Sequence, residues 1–231
     1  MSGSADDLSG ADISARNIDA LSVHFPACAT NLHRTLRRDA HLKHMGRLQY
    51  SLFLKGVGLS LDESLTFWRT AFHKITDDTF NKDYRYNVRH VYGDVGGDQN
   101  RRGGGYSPFS CQKILLENAP SPGGAHGCPY RHFGIENLET LLQGMGVVER
   151  GVLRGVKEDR DGKKFHLACN RWVISFFFCR GSVSVCRILR QLGFYGVYRN
   201  QPISILTDLS ITVYLSISTK KKSRKPRTAA Q

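Results

Sequence analysis

The sequence predicts a mainly α-helical, irregular domain with long loops, and three observations support that fold class. Apolar residues recur three or four positions apart in several stretches, which is the spacing of helices with one buried face. Glycine-rich segments separate those stretches, and no regular series of strands is indicated. Of the 231 residues, 40% are hydrophobic and 23% are charged, so the chain can bury a core and is not disordered throughout.

The chain begins with a segment that is expected to be a flexible leader. Residues 1–16 are rich in Ser, Gly, Ala and Asp, and folded structure is expected from near Ile18. Leu32 and Leu36 then stand four positions apart with basic residues between them. This spacing predicts an amphipathic helix over 29–38.

Two further helices are predicted in the next thirty or so residues. A break at 41–46 precedes a helix over 47–55, and Gly56 is expected to supply its left-handed end. Ser60 and Glu63 match a capping box, which begins the next helix. The apolar stripe of that helix consists of Leu61, Leu65, Trp68 and Phe72, so the simplest interpretation of Trp68 is a core residue.

The middle of the chain combines an aromatic and basic segment with a long loop. Aromatic and basic residues are interleaved over 84–92, and residues 93–105 contain six glycines, which predicts a long flexible loop. Ser107 and Pro108 indicate a helix start. Cys111 is therefore expected in the first turn of a short helix that ends near residue 117.

Another loop and helix are predicted after residue 120. Residues 120–127 form the loop, and Cys128 and Pro129 follow it. The next helix is marked by Ile135, Leu138, Leu141 and Leu142. Residues 159–162 are predicted to form a turn that leads into the segment containing Cys169.

The charge balance favours a polyanionic partner. The chain has 33 Lys and Arg against 20 Asp and Glu, a formal net charge of +13. Six of the positive charges lie in the tail KKKSRKPR at 220–227. Within the body the densest basic cluster spans 33–55, where apolar residues and glycines interrupt the charges. That pattern is typical of a phosphate-binding surface as well as of a solvated helix face.

Several classes of protein are excluded by what the sequence does not contain. No apolar stretch reaches the roughly 20 residues of a membrane helix, and no secretory signal is present, so reduced thiols inside a cell are expected. Asp77 and Asp78 are adjacent and do not suggest a two-metal polymerase site. Walker A, HExxH and GxSxG motifs are missing. A catalytic site is therefore not expected.

The six cysteines have two interpretations, buried inert thiols or metal ligands. No CxxC motif is present, and the spacing alone does not favour metal. The context of two of them does, because Cys111 lies beside a predicted helix start and Cys128 precedes a proline after a glycine-rich approach. Four thiolates suit either tetrahedral zinc or an iron-sulfur cluster, and the sequence does not separate the two.

Six stretches together resemble a known family. They are HFPACATNLH at 24–33, GRLQYSLFLKGVGL at 46–59, YRYNVRHVYG at 84–93, YSPFSCQKIL at 106–115, HGCPYRH at 126–132 and HLACNR at 166–171. In this order they look like the C-terminal iron-sulfur domain of the large, regulatory subunit of eukaryotic DNA primase. The resemblance covers roughly residues 17–171.

The resemblance implies a cofactor and a role. It implies that Cys28, Cys111, Cys128 and Cys169 hold one 4Fe-4S cluster, with Cys179 and Cys186 outside it. It also implies a non-catalytic, DNA-binding domain of the primosome in the nucleus, which holds the 5'-triphosphate end of the RNA primer at its junction with the template during DNA replication. In the family the polymerising active site belongs to the small subunit.

The same resemblance implies a set of nucleic-acid contacts. Matched position by position, these are His41, Lys43, His44, Arg47, Gln49, Lys55, Trp68, Tyr84, Tyr86 and Asn87. Lys43 stands where relatives commonly have arginine, so a point-charge contact would replace a bidentate one. Guanidinium and imidazole groups bind phosphate oxygens, and tyrosines stack on bases. Each residue also has a structural interpretation, with Trp68, Tyr84 and Tyr86 as packing aromatics.

The chain departs from the family at both ends. The resemblance implies the primase small subunit and DNA polymerase alpha as partners. Large subunits have a long helical N-terminal domain that docks the small subunit, and only the leader at 1–16 precedes the matching region here, so docking to these partners is not expected. Residues 172–231 form a divergent segment with one acid, Asp208. This composition is typical of translated intron or shifted frame, while the basic tail resembles a nuclear localisation signal.

Two rival functions stay open at the level of the residues. One is a zinc-stabilised nucleic-acid-binding protein unrelated to priming, and the other is an iron-sulfur enzyme with an open coordination site. Metal analysis separates the first rival from the primase domain. Iron with acid-labile sulfide would support the primase domain, and zinc alone would support the rival. The second rival requires that one of the four cysteines is not a ligand.

Overall fold

The computed structural model describes residues 13–96 and 105–171, which form helices, turns and loops with no strand among them. All of these residues belong to one compact unit, Met1–Leu192, and a second unit, Gly193–Gln231, lies outside the described residues. The helices are α1 (Ile18–Leu21), α2 (Ala27–Asp39), α3 (His44–Val57), α4 (Leu61–Ala71), α5 (Asp77–Asp83), α6 (Arg85–Tyr92), α7 (Cys111–Leu116), α8 (Pro129–His132), α9 (Ile135–Gly144) and α10 (Arg150–Asp161), and residues 165–171 form a further helical stretch, α11. The mainly helical expectation is confirmed for this part of the chain, and within it no helix is long and apolar enough to cross a bilayer.

The predicted helix over 29–38 is confirmed as α2, which is slightly longer at both ends. It begins after Pro26 and ends at Ala40, whose left-handed backbone (φ 55°) closes the last turn with a hydrogen bond to Leu36 O. Leu32 and Leu36 are fully buried, as expected of the apolar face.

The next helix, α3, starts earlier than predicted and ends later. Residues 44–46 are helical rather than part of a break, and the left-handed end is Gly58 (φ 108°), not Gly56. Gly56 lies inside the helix, where a Cβ would stand 2.6 Å from a ring carbon of Pro108. This glycine therefore permits a close approach between α3 and the segment before α7, which is a tertiary requirement that the local pattern does not contain.

The capping box before α4 is half formed. The Ser60 hydroxyl accepts from the Glu63 N–H at 3.3 Å, as predicted, but the Glu63 carboxylate accepts from the Ala15 N–H at 2.6 Å. The start of α4 thereby also fixes the residues that lead into α1. Trp68 is only 1% exposed, which confirms it as a core residue.

Two predictions in the second half of the chain are wrong in detail. Ser110, not Ser107, caps α7 through a bond from the Lys113 N–H at 3.2 Å, although Cys111 is in the first turn as expected. Residues 150–161, for which the sequence pattern predicts no helix, form α10. Asp159 is therefore helical rather than part of a turn, and it is buried because it forms an ion pair with Arg171.

The described residues pack into two hydrophobic clusters. The first is built by α1 to α6, with Leu32, Tyr50 and Trp68 near its centre. The second is built by α8 to α11 around Tyr130 and Leu142, and the start of α2 joins it. Helix α2 thus contributes to both clusters.

Candidate functional site

Four cysteines from four separate elements face one another. Cys28 lies in α2, Cys111 in α7, Cys128 directly before α8 and Cys169 in α11, and all four are free and half-buried. Burial raises the pKa of the Cys169 thiol, and the nearby thiols of Cys28, Cys111 and Cys128 raise it further. The fold therefore brings together four groups that are far apart in sequence, whereas Cys179 and Cys186 lie outside the described residues.

Three of the four cysteines lie in the first turn of a helix or directly before it. Cys28 is the second residue of α2, Cys111 is the first of α7, and Cys128 immediately precedes α8. Backbone N–H groups of Arg131 and Tyr130 lower the pKa of Cys128, but burial outweighs them and raises it to about 11. The N–H groups are placed to stabilise thiolates, yet four buried thiolates also need a positive charge among them.

A mononuclear metal site would need the four sulfurs in a tight arrangement. Among residues 13–96 and 105–171, no group of three or more His, Cys, Asp or Glu side chains is placed to hold one ion. Zn–S bonds of about 2.3 Å would require the sulfurs to be nearly in contact with one another. The thiols of Cys28, Cys111 and Cys128 nevertheless lie near enough to Cys169 to raise its pKa.

The Tyr130 hydroxyl is a buried polar atom beside the thiols. Tyr130 is 1% exposed, and among the described residues its oxygen has no partner in full hydrogen-bond geometry. Burial raises the pKa of the Tyr130 hydroxyl well above its ordinary value, and the neighbouring Cys169, Cys128 and Cys28 raise it further. A side-chain hydrogen bond with Tyr130 lowers the pKa of Cys169, so the hydroxyl is placed to donate to a thiolate there.

A separate cleft of about 400 Å³ lies among α3, α4, α6 and the segment that leads into α7. Six of the ten residues that the resemblance implied as nucleic-acid contacts line it: His44, Arg47, Trp68, Tyr84, Tyr86 and Asn87. The cleft is therefore the place where the predicted contacts converge.

Arg47 is fixed at one wall of the cleft. Its guanidinium donates to Leu42 O at 2.7 Å and lies over the Tyr84 ring at 4.9 Å. Partial burial lowers its pKa from the ordinary value of 12.5, which leaves it charged at neutral pH. A preoriented cation next to an aromatic ring can bind a phosphate and a base together.

Tyr86 presents an exposed ring at the cleft. It is 53% exposed and stacks on His90, with ring centroids 5.7 Å apart. Tyr106 also contacts His90, with its ring tilted by 46° and ring centroids 5.3 Å apart. An exposed aromatic ring supported from behind is suited to stacking against a nucleobase.

Four residues that the sequence did not single out also line this cleft. These are His90, Tyr106, Phe109 and Lys113. His90 belongs to the interleaved segment 84–92 and could have been included from that pattern. The other three follow the glycine-rich stretch, and no sequence pattern links them to residues 84–92. Lys113 lies over the Phe109 ring at 4.0 Å.

The three remaining basic candidates lie close to the cleft without lining it. His41 stacks on Phe72 with centroids 5.9 Å apart, and the Lys43 ammonium donates to Pro122 O at 2.6 Å. Lys55 donates to Val91 O at 3.0 Å and to Tyr106 O at 2.9 Å. Lys55 therefore joins the two ends of the loop after α6.

Two predicted contacts are not at the surface. Trp68 lies at the floor of the cleft and belongs to the first core cluster. Gln49 is 5% exposed, and both ends of its amide bond the backbone of Gly127. The burial of each follows from its helical register, because both side chains point from their helices toward the interior.

Comparison with known proteins gives a consistent result. Residues 19–190 match the family described as the C-terminal domain of the large subunit of eukaryotic and archaeal DNA primase. The match continues past residue 171, where the resemblance in the sequence was expected to end. The chain is 74% identical over 172 residues to the probable DNA primase large subunit of Neurospora crassa, 48% over 160 residues to that of Schizosaccharomyces pombe, and 42% over 163 residues to that of Homo sapiens.

These alignments cover only part of the relatives. They include 73%, 69% and 69% of this chain but 34%, 34% and 31% of the three large subunits. The chain thus corresponds to about a third of the length of the curated relatives that it matches.

Proposed function

The chain belongs to the family of the C-terminal domain of the DNA primase large subunit, and from this membership we propose that it binds the 5'-triphosphate end of an RNA primer at its junction with the template. The convergence of cationic and aromatic side chains on one cleft carries this proposal. Arg47 and His44 supply groups that bind phosphate, and Tyr86 supplies an exposed ring for a base.

The proposed role is that of a binding module without a polymerising active site. By membership, its partners would be the primase small subunit and DNA polymerase alpha, and its place of action would be the nucleus during replication. The alternative, a nucleic-acid-binding protein unrelated to priming, is not favoured by the relatives that the chain resembles.

The proposed cofactor is a 4Fe-4S cluster held by Cys28, Cys111, Cys128 and Cys169. Their mutual electrostatic interaction, the places of three of them at helix starts and the buried Tyr130 hydroxyl beside Cys169 support it. When bound, such a cluster supplies positive metal charge and four iron–sulfur bonds to the cysteine thiolates. The chain's own residues supply the thiolates, exclude water around them and connect distant helices.

The binding proposal is tested with Arg47→Ala. We expect its affinity for a 5'-triphosphorylated primer-template to fall about 10-fold to 100-fold, since a hydrogen bond to a charged group is worth roughly 1.5–3 kcal/mol. The plot of log affinity against log salt should lose about one unit of slope. Arg154→Ala on α10 changes the net charge equally but lies outside the cleft lining, so it should bind as the wild type does. Equal affinities and slopes for both variants would remove Arg47 from the binding surface.

The cofactor proposal is tested by metal analysis of the full chain purified without oxygen. We expect about four iron atoms and four acid-labile sulfides per chain, as in a 4Fe-4S cluster. Cys169→Ser should lose most of both, because one of the four ligands is then absent. If the wild type contains zinc alone, the cluster proposal is rejected. The proposal for the cleft is then still tested by the binding of Arg47→Ala.

A further inference from the structure

The segment from Ala125 to Phe133 contains Cys128, and three polar side chains from three helices hold its backbone. We call this segment the Cys128 segment. Asn31 of α2 donates to Ala125 O at 3.0 Å, and Arg160 of α10 donates to Tyr130 O at 3.1 Å and to Phe133 O. Gln49 of α3 bonds the segment at Gly127, directly before the cysteine.

The contact between Gln49 and Gly127 is two-sided. Gly127 N–H donates to Gln49 Oε1 at 2.8 Å, and the Gln49 amide donates to Gly127 O at 3.4 Å. Both hydrogen bonds are buried and join residues 78 positions apart. A side-chain amide that satisfies both polar groups of one residue fixes its orientation as well as its position.

Gly127 itself is constrained on its other side. Its backbone is left-handed (φ 89°), and a Cβ there would stand 2.8 Å from the His132 ring. The segment therefore runs through a narrow passage between the His132 ring and the Gln49 amide. Any other conformation would leave buried polar groups without partners, which is unfavourable.

We propose that Gln49 is a positioning residue of the cysteine site, which acts by fixing Gly127 and so the place of the Cys128 sulfur, rather than a residue that contacts nucleic acid. Asn31 and Arg160 hold the two flanks of the same segment. This inference rests on the proposed assignment of Cys128 as a ligand. It also implies that α3 supports the cysteine site through its buried face and lines the cleft through its other face.

The test compares thiol protection in the full chain purified without oxygen. An iron chelator and iodoacetamide are added together, and mass spectrometry follows alkylation of Cys28, Cys111, Cys128 and Cys169 separately. In Gln49→Leu we expect Cys128 to react at least several-fold faster relative to Cys28 than in the wild type. Gln49→Glu keeps the acceptor for Gly127 N–H, so its ratio should lie closer to that of the wild type.

Val57→Ala is the matched control. It removes buried volume from the same helix, since Val57 is 2% exposed, and its apolar side chain makes no hydrogen bond to the Cys128 segment. General loss of stability should expose all four cysteines in parallel and leave their ratio unchanged. If Gln49→Leu does not fold, Asn31→Ala weakens the same segment at Ala125 and should raise the Cys128 ratio by itself.

The outcomes separate this inference from the proposed function. If Gln49→Leu and Asn31→Ala keep the wild-type ratio of Cys128 to Cys28 alkylation rates, the positioning role is overturned. If Gln49→Leu keeps this ratio but binds primer-template more weakly, Gln49 is a nucleic-acid contact. If the wild type contains no iron, the cluster proposal fails. The ratio of alkylation rates is still measured in that case, and it alone decides whether Gln49 positions Cys128.

Discussion

His33 is a buried polar residue whose ring has a partner on each side. Its Nδ1 lies 2.7 Å from the Tyr50 hydroxyl, and its Nε2 lies 3.1 Å from the Asp19 carboxylate. Burial lowers the pKa of His33 to about 4, and the nearby Arg37 guanidinium adds to the decrease, which Asp19 only partly offsets. His33 is therefore neutral in the folded chain at physiological pH.

The low pKa of His33 predicts acid sensitivity. The unfolded chain binds a proton near pH 6.5 and the folded chain only near pH 4, so stability is greatest above pH 6.5 and falls as the pH decreases toward 4. We expect this group to account for a loss of about 2 kcal/mol between about pH 7.5 and pH 5. Urea unfolding at both pH values measures it. Because Gln does not titrate, the free energy of unfolding of His33→Gln should fall by about 2 kcal/mol less than that of the wild type over this pH range. Equal decreases in the two proteins would contradict the assignment to His33.

At the scale of elements, several helices end in a left-handed residue. Gly58 ends α3 and Gly93 ends α6, where glycine adopts this backbone without strain. After α10, the left-handed position belongs to Lys163 (φ 56°), and Lys164 N–H closes the motif by donating to Asp159 O at 2.7 Å. A side chain at this position costs free energy that glycine does not.

Lys163→Gly is therefore expected to stabilise the chain. Relief of the left-handed strain exceeds the entropy that glycine adds to the unfolded state, for a net gain of roughly 0.5–1 kcal/mol. Lys163 is exposed, so no packing is lost. Thermal unfolding measures the change. The adjacent Lys164→Gly, which relieves no left-handed strain, should not stabilise, and a gain there equal to that of Lys163→Gly would refute the explanation.

At the scale of the whole described unit, three of the four cysteines lie beside the second hydrophobic cluster or between it and the first. Ala27 at the start of α2 belongs to the second cluster, while Ala29 and Leu32 belong to the first. Cys28 stands between them, and Cys128 and Cys169 pack against the second cluster. A group bound by all four thiols would join α2, α7, α8 and α11.

Removal of that group should lower the stability of the whole unit. We expect a chelator added under reducing conditions to cost the full chain at least about 2 kcal/mol, because binding energy at such a site is also folding energy. The thermal midpoint in circular dichroism measures it. Cys169→Ser, which lacks one ligand, should already be less stable and should respond little to the chelator. An unchanged midpoint in the wild type would mean that the thiols do not cross-link the helices.

Local patterns were sufficient for much of the fold. The spacing of Leu32 and Leu36 predicted α2, and the capping residue Ser60 predicted the start of α4. They failed at α10, because charged residues such as Arg154 and Glu158 obscure a narrow apolar stripe that packs on the second cluster. They also failed at Gly56, since the approach of Pro108 that requires this glycine joins segments about fifty positions apart.

The candidate site shows the same division. Arg47 and Tyr86 could be singled out from the sequence because charge and aromatic character are properties of the residues themselves. The two hydrogen bonds of Gln49 could not be foreseen, since their partner, Gly127, lies 78 positions away along the chain. Phe109 and Lys113 line the cleft beside α6, where Tyr106 N–H donates to Val91 O, and no local pattern connects these two segments.

By itself, then, the sequence determined the helical class, the family and the types of group available for binding, because periodicity, charge and motif order are written along the chain. Only the tertiary structure decided which of those groups meet: four thiols on four elements, a cleft with an arginine and a supported tyrosine, and a glutamine turned inward. The physical reason is that burial and close packing act between segments that are distant in sequence, so they select one partner among many that local patterns leave equivalent.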